Sequence, residues 1–179
     1  FNSNIPNWIR FANSLKLRLA MRISAVYEDA QKIAEAAVAH PYGVIESNDN
    51  NPTMQSNSNL SFTYNNPIHS ISSAEGYEED VMGATMDAYL NGFEDPRRAV
   101  FFALSSNGNY RGLRNGHKNG DIFKGDEGLS KPNIQQGTPY IWMTAAEVFF
   151  LRAEGALKQW DMKGTPEALY KSGIRASFE

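Results

Sequence analysis

The sequence predicts a mainly α fold in which helical hairpins flank a long, loop-rich and partly irregular insertion. Three observations support this prediction. Apolar residues recur at three- and four-residue steps from Trp8 to Val26, which is the spacing of one helix face. That periodicity disappears over residues 42–140, where asparagine, serine, glycine and aromatic residues predominate. Helix-start signals return at Thr144, so a second hairpin is expected over residues 143–179.

The first hairpin is expected over residues 6–40. Pro6 stands at a first-turn position with Asn4 ahead of it as a cap, and the helix should run to Ser24. A second helix should end at His40, because the residue before a proline avoids helical geometry. Such a pair occupies roughly 34 residues, the period of a tetratricopeptide unit. We expect the core face of the first helix to be formed by Trp8, Phe11, Ala12, Leu15, Leu19, Ile23 and Val26.

The insertion, residues 42–140, is expected to contain one helix near 78–91. That helix should end at Gly92 and be followed by a turn in which Asp95 bonds to backbone amides or to Arg97. A strand is expected between Val100 and Leu104. A loop region of this length inside a folded chain is usually functional.

The second hairpin begins with a capping box, Thr144 to Glu147, in which the glutamate should reach back to the threonine amide. Thr165 and Pro166 are expected to cap and open the next helix. The sequence starts at Phe1 and stops inside this helical pattern, so we expect residues 1–179 to be one partial domain of a larger protein.

Composition excludes several classes of function. A formal charge of -3 provides no basic excess, so nucleic acid is not expected as a partner. No apolar run approaches the roughly 20 residues that cross a bilayer. The chain contains no cysteine, which excludes thiolate zinc sites and cysteine nucleophiles within it. The three histidines are scattered, so neither a metal nor a cofactor is expected.

Several blocks resemble one protein family over the whole chain. They are Trp8 to Ser24, Leu90-Asn-Gly-Phe-Glu-Asp-Pro-Arg97, Asn109-Tyr-Arg-Gly-Leu-Arg-Asn-Gly116, Met143 to Glu154 and Leu169 to Glu179. Together they resemble the SusD/RagB-like proteins, which are nutrient-binding outer-membrane lipoproteins of Bacteroidetes. The chain looks like the middle third of such a protein.

This resemblance implies a scaffold of tetratricopeptide-like units that docks on a TonB-dependent, SusC-like transporter. It also implies an outer-membrane lipoprotein, surface-exposed or periplasm-facing, that contacts the membrane only through an anchor outside these residues. The irregular region would capture an oligosaccharide. Some members of the family bind peptides or other nutrients instead.

Sugar binding needs flat apolar faces and fixed polar groups, and the insertion contains both. The predicted ligand-binding residues are Tyr110 and Arg111, in the most turn-like context, followed by Tyr64, Tyr77 and Asn115. The alternative for each aromatic is a core position beneath the loops. Further candidates of the same kinds are Phe93, Phe123, Tyr140, Trp142, Asn65, Asn66, Asn107, Asn109 and His117.

No catalytic residue is predicted. Glu147 and Glu154 lie seven residues apart on one helix, about 10 Å along its axis, which is at or beyond the separation that glycosidases use. We expect Glu154 to pair with an arginine of the first hairpin, where Arg18 and Arg22 need acidic partners. The chain is therefore expected to be a binding protein and not an enzyme. The alternative is a helical-repeat scaffold for protein interactions, or a peptide-binding member of the family.

Overall fold

The computed structural model describes residues 3–56, 66–72, 80–116 and 128–179. The chain divides into two compact units. Residues 1–54 and 141–179 form the first, which we call the helical unit, and residues 55–140 form the second, which we call the loop unit. The described part is mainly α, as predicted.

Helices account for most of the regular structure in the described ranges. They are α1 (Ile5–Ile23), α2 (Ala30–Val38), α3 (Pro67–Ser72), α4 (Ala84–Gly92), α5 (Arg98–Phe101), α6 (Ala145–Leu157) and α7 (Pro166–Phe178). The same ranges contain two short strands, β1 (Thr53–Met54) and β2 (Tyr140–Ile141), which pair with one another, and a 3₁₀ turn at Asn48–Asn50. None of the described helices has the length and apolarity needed to cross a membrane.

The predicted N-caps are confirmed at the starts of three helices. The side chains of Asn4, Thr144 and Thr165 accept hydrogen bonds from the amides of Asn7 (3.0 Å), Glu147 (3.1 Å) and Ala168 (3.3 Å), respectively. Each bond satisfies a first-turn N–H that has no partner inside its helix.

In the helical unit α1 packs on α2, α6 packs on α7, and α1 also contacts α6. The central core side chains come from both helix pairs, from the segment that follows α2 and from the residue before the cap of α6: Leu17, Ala20, Met21, Ala34, Val38, Ile45, Met143, Val148 and Leu169. Small residues allow close approach between α6 and α7. A Cβ placed on Gly173 would lie 2.6 Å from Cε1 of Phe150, so a larger residue there would require the ring of Phe150 to move.

The predicted core face of α1 is wrong for most of its residues, although Phe11 and Leu15 are partly buried and pack against the core. Leu19 is 63% exposed, Ile23 38% and Val26 86%, and Ala12 is also exposed. The buried face instead contains Ser14, Leu17, Ala20 and Met21.

Polar contacts to the segment that follows α2 explain this rotation of α1. The hydroxyl of Ser14 accepts a hydrogen bond from the amide of Ile45 at 2.9 Å, and the Asn13 amide donates to the carbonyl of Gly43 at 2.9 Å. These bonds hold residues 43–45 against the side of α1 that hydrophobicity alone would place outside. Much of the apolar face predicted from the sequence, including Leu19, consequently faces solvent.

In the loop unit two predicted elements differ from the structure. The expected helix near 78–91 begins only at Ala84; residues 78 and 79 lie outside the described ranges. Met82 is buried in extended chain, where its amide donates to the carbonyl of Ser130 at 2.8 Å. The expected strand from Val100 to Leu104 is replaced by α5 and an isolated bridge between Phe102 and Pro132.

The turn after α4 forms as predicted. Asp95 accepts a hydrogen bond from the amide of Arg97 at 2.9 Å and pairs with its guanidinium, whose Nη2 lies 2.7 Å from Oδ2. This pair lowers the pKa of Asp95 below its usual 3.8, chiefly through the side-chain hydrogen bond from Arg97, and raises the pKa of Arg97.

Candidate functional site

The candidate site lies in the loop unit, around the turn at residues 105–111. Within this turn the amide of Ser105 donates to the carbonyl of Asn109 at 2.8 Å, and its hydroxyl donates to Oδ1 of Asn109 at 2.8 Å. Residues 128–130 run alongside, because the amide of Ser130 donates to the carbonyl of Arg111 at 2.9 Å and its hydroxyl accepts from the Arg111 amide at 3.1 Å. Side-chain hydrogen bonds therefore add to the backbone bonds that hold these segments together.

Side chains of helix α4 hold the same turn through hydrogen bonds. The carboxylate of Asp87 accepts from the amide of Gly112 at 2.7 Å and from the side chain of Asn91 at 2.6 Å. Asn91 in turn donates to the carbonyl of Tyr110 at 2.9 Å. Gly112 is required by this close approach, since a Cβ there would lie 2.6 Å from the carbonyl oxygen of Gly83.

Two exposed polar side chains meet at the outer side of this turn. A Cβ on Gly128 would lie 2.4 Å from Nδ2 of Asn107 and 3.9 Å from Nη1 of Arg111, so both side chains gather over the Gly128 backbone. Gly128 has a φ of +78°, a conformation that a side chain would strain. We call Asn107, Arg111 and Gly128 the turn cluster.

Tyr110 is half-buried next to the turn cluster. The guanidinium carbon of Arg98 lies 5.3 Å from its ring centroid, which is a cation–π distance. One face of the ring is therefore occupied by Arg98, leaving at most the other face for a ligand. Arg98 also donates to Oδ1 of Asn91 at 3.3 Å.

The remaining predicted site residues do not join this cluster in the described structure. Asn115 is exposed in a turn with Gly116, and no hydrogen bond among the described residues links its side chain to Asn107 or Arg111. Tyr64 and Tyr77 lie outside the described ranges. The predicted Asn66 is only 2% exposed, and it holds the backbone of Thr138 and Ile68 through its side chain.

Sequence reasoning missed the supporting residues Asp87, Asn91 and Arg98. A signal for the first two was present, because Asp and Asn four residues apart lie on the same face of a helix. It named Phe93 among the further candidates but missed Tyr89, which lies on α4. The rings of Tyr89 and Phe93 stack with centroids 6.1 Å apart, and the residues are 62% and 77% exposed.

Charged residues of the helical unit serve its packing, although not as expected. Glu147 does not return to its cap; it forms a bidentate pair with Arg18, with Nε to Oε1 at 2.6 Å and Nη2 to Oε2 at 2.7 Å. Glu154 is exposed, and its carboxylate has no hydrogen-bond partner among the described residues, so the expected pairing of Glu154 is wrong. Arg22 is likewise exposed and unpaired within the described ranges.

The buried cation of the helical unit is Arg152, which is 4% exposed. Its guanidinium donates to the carbonyl oxygens of Met162 at 3.0 Å and Lys163 at 3.3 Å, and to Oε1 of Glu46 at 2.5 Å. Arg152 therefore joins the middle of α6 to Glu46 and to the segment that follows the helix. In the described ranges no three histidine, aspartate or glutamate residues are grouped as a metal site would require.

The comparisons with known proteins agree on one family. The chain matches, over residues 1–179, the family described as SusD and RagB outer membrane lipoproteins. A chitin-binding SusD homolog from Flavobacterium johnsoniae is 39% identical with a TM-score of 0.85, over 98% of this chain and 36% of that one. A SusD homolog from Bacteroides uniformis is 38% identical with a TM-score of 0.84, over 98% and 36% of the two chains.

A further solved structure, described as a chitin-binding protein, is 30% identical with a TM-score of 0.76, over 98% of this chain and 40% of that one. No curated protein sequence matches the chain. The chain spans little more than a third of the length of the solved relatives, 36% in the Flavobacterium protein. The match to the family and the sequence identity to solved SusD homologs agree, and the chain belongs to the SusD-like family of outer membrane lipoproteins.

Proposed function

We propose that this chain is part of a non-catalytic protein that binds oligosaccharide at the bacterial cell surface and delivers it to a TonB-dependent, SusC-like transporter. The observation that carries the proposal is the 39% identity to a protein described as chitin-binding. A second relative, at 30% identity, is described in the same way. Attachment to the outer membrane would come from an anchor outside residues 1–179, in keeping with the family's description.

The turn cluster is the part of the loop unit that we propose for the sugar. A chitin oligomer presents hydroxyl groups and acetamido carbonyl oxygens. Arg111 can donate to several of these oxygens, and the amide of Asn107 can both donate and accept. Both side chains are exposed and lie beside Gly128, and hydrogen bonds fix the backbone of the turn that carries them, so little backbone order has to be created on binding.

We propose that the site offers a sugar a smaller aromatic surface than the sequence predicts. Sugar rings bind flat aromatic faces through their C–H side. Tyr110 can offer only the ring face opposite Arg98. The predicted Tyr64 and Tyr77, and the exposed Asn115, remain candidates for further contacts.

The test is the binding of N-acetylglucosamine oligomers, measured by titration calorimetry on the natural protein that contains residues 1–179. Replacing Arg111 by Ala should weaken binding about tenfold or more, which is about 1.4 kcal/mol. The matched control is Arg175→Ala, which removes the same charge from an exposed position on α7. A glycan array would widen the search if chitin oligomers fail.

Two results would contradict the proposal. Binding of peptides with no binding of any glycan would identify a peptide-capturing member of the family. Equal affinities for the Arg111→Ala and Arg175→Ala variants would leave glycan binding in place but remove the turn cluster from the site.

A further inference from the structure

Four asparagines of the chain are each followed by a glycine, and three of these pairs lie in the described ranges. The three are Asn91-Gly92, Asn107-Gly108 and Asn115-Gly116. Glycine has no side chain to shield its amide nitrogen, and it lets the backbone adopt conformations that other residues avoid. The side-chain amide carbon of an asparagine is therefore open to attack by the nitrogen of the glycine that follows it.

The reaction open to such pairs is deamidation. A bond forms between the glycine nitrogen and Cγ of the asparagine, and the side-chain nitrogen leaves as ammonia with the proton of the glycine amide. Water then opens the cyclic imide at one of its two carbonyl carbons. The product is aspartate or isoaspartate, in which the main chain runs through the former side-chain carbonyl. A neutral amide thereby becomes a carboxylate that is ionised at neutral pH, and water is the one co-reactant.

Hydrogen bonds hold Asn91 away from this reaction. Its side-chain nitrogen donates to Oδ1 of Asp87 at 2.6 Å and to the carbonyl of Tyr110 at 2.9 Å. Its Oδ1 accepts from Arg98 at 3.3 Å. The pair also lies inside α4, which extends to Gly92. Attack on Asn91 requires these bonds and the last turn of the helix to open together, which makes the reactive conformation rare.

Asn107 and Asn115 lack these restraints. Both are exposed, and neither side chain makes a hydrogen bond among the described residues. Each precedes a glycine in the left-handed region, with φ of +73° at Gly108 and +79° at Gly116. The amide of Gly108 donates to the carbonyl of Ser105 at 2.9 Å, whereas the amide of Gly116 makes no backbone hydrogen bond within the described ranges. We therefore expect Asn115 to react first and Asn107 next.

We propose that Asn107 and Asn115 are sites of spontaneous deamidation in the folded protein and that Asn91 is not. The change at Asn107 alters the turn cluster. A Cβ on Gly128 would lie 2.4 Å from Nδ2 of Asn107 and 3.9 Å from Nη1 of Arg111, so the new carboxylate forms beside the guanidinium and can pair with it. The turn cluster then changes from a cationic to a neutral surface as the protein ages. Deamidation at these positions does not depend on the proposed glycan binding.

Peptide mass spectrometry during ageing tests this proposal in the natural protein that contains residues 1–179. The protein is incubated in neutral buffer with and without denaturant, and electron-transfer fragmentation separates aspartate from isoaspartate. In denaturant the three asparagines should react at similar rates, because each precedes a glycine. In native buffer Asn107 and Asn115 should react at least about tenfold faster than Asn91. Equal native rates at all three would overturn the proposal, as would an Asn107 that stays intact in native buffer and reacts in denaturant.

A variant of α4 tests the reason for the protection of Asn91. Asp87→Ala removes one acceptor of the Asn91 side chain, so it should speed deamidation of Asn91 and leave the rate at Asn115 unchanged. Thr85→Ala, at an exposed position of the same helix, is the matched control. A rate at Asn91 that is the same in both variants would contradict protection by these hydrogen bonds.

Discussion

The helical unit and the loop unit depend on polar side chains to different degrees. In the helical unit the caps Asn4, Thr144 and Thr165 act at helix ends, and the core between the helices is mainly apolar. In the loop unit polar side chains add to the backbone bonds between segments. Asp87 and Ser130 bind the amides of Gly112 and Arg111. The helical unit is thus held chiefly by apolar contacts between helices, whereas the candidate turn of the loop unit also depends on individual polar side chains.

The largest expected effect concerns the exception to this rule, the buried Arg152 of the helical unit. Arg152→Ala should lower the free energy of unfolding by about 3 kcal/mol, because it removes the donors to the carbonyls of Met162 and Lys163 and leaves a void. Urea denaturation measures the change. The control is Lys171→Ala, which breaks an exposed pair with Glu167 and should cost no more than about 0.5 kcal/mol. Similar losses in both variants would contradict this role for Arg152.

A smaller loss is expected from crowding the contact between α6 and α7. Gly173→Ala should cost about 2 kcal/mol, since its Cβ would meet the ring of Phe150 at 2.6 Å. Gly92→Ala is the matched control, because nothing lies within 4 Å of a Cβ at that helix position. Alanine should there be neutral or stabilise by up to about 1 kcal/mol. The melting temperature of the Gly173→Ala variant should therefore fall, while that of the Gly92→Ala variant should stay the same or rise. Equal shifts in melting temperature would show that the ring of Phe150 moves aside.

In the loop unit the expected effect is local. Asp87→Ala removes the acceptor of the Gly112 amide and of the Asn91 side chain, and should cost about 1.5 kcal/mol. Hydrogen exchange should accelerate at the amide of Gly112, with no change at the amides of α6. Thr85→Ala, at an exposed position of the same helix, is expected to leave exchange unaltered. Unchanged exchange at Gly112 in the Asp87 variant would show that side-chain bonds do not hold this turn.

The smallest effect depends on pH. Arg97 lowers the pKa of Asp95 in the folded protein below its usual 3.8, so ionised Asp95 contributes stability that is fully present above pH 3.8. This contribution is lost as the pH falls through the lower, folded pKa. Asp95→Asn should therefore be less stable than the parent at neutral pH, and the two should converge below pH 3.8. Urea denaturation over a series of pH values measures the difference in free energy of unfolding between the parent and the variant. A difference that grows as the pH falls would contradict a lowered pKa for Asp95.

The same contrast explains what the sequence could and could not predict. Caps are local chemistry, so Asn4, Thr144 and Thr165 were readable as helix starts. The exposure of Leu19 was not, because hydrophobicity marks a surface for burial without saying which part of a polypeptide buries it. Glu147 and Glu154 lie on the same helix. Only the relative rotation of α1 and α6 determines that Arg18 pairs with Glu147 and not with Glu154.

The sequence predicts which region contains the candidate site, but it does not predict which side chains contact one another there. Its turn-rich sequence pointed to Tyr110 and Arg111. The cation that covers one face of Tyr110 comes from Arg98, twelve residues earlier, and Arg111 gathers with Asn107 only because residue 128 is a glycine. Such pairings across loops depend on tertiary hydrogen bonds, which leave no periodic pattern in the sequence.

An NMR titration with N-acetylglucosamine oligomers, recording backbone amides of the natural protein that contains residues 1–179, tests the glycan-capture proposal most directly. We predict shift changes at residues 105–111 and 128–130, with the amides of α1 and α6 unaffected. Changes confined to α1 and α6, or none with any oligomer, would contradict the assignment of sugar binding to the loop unit.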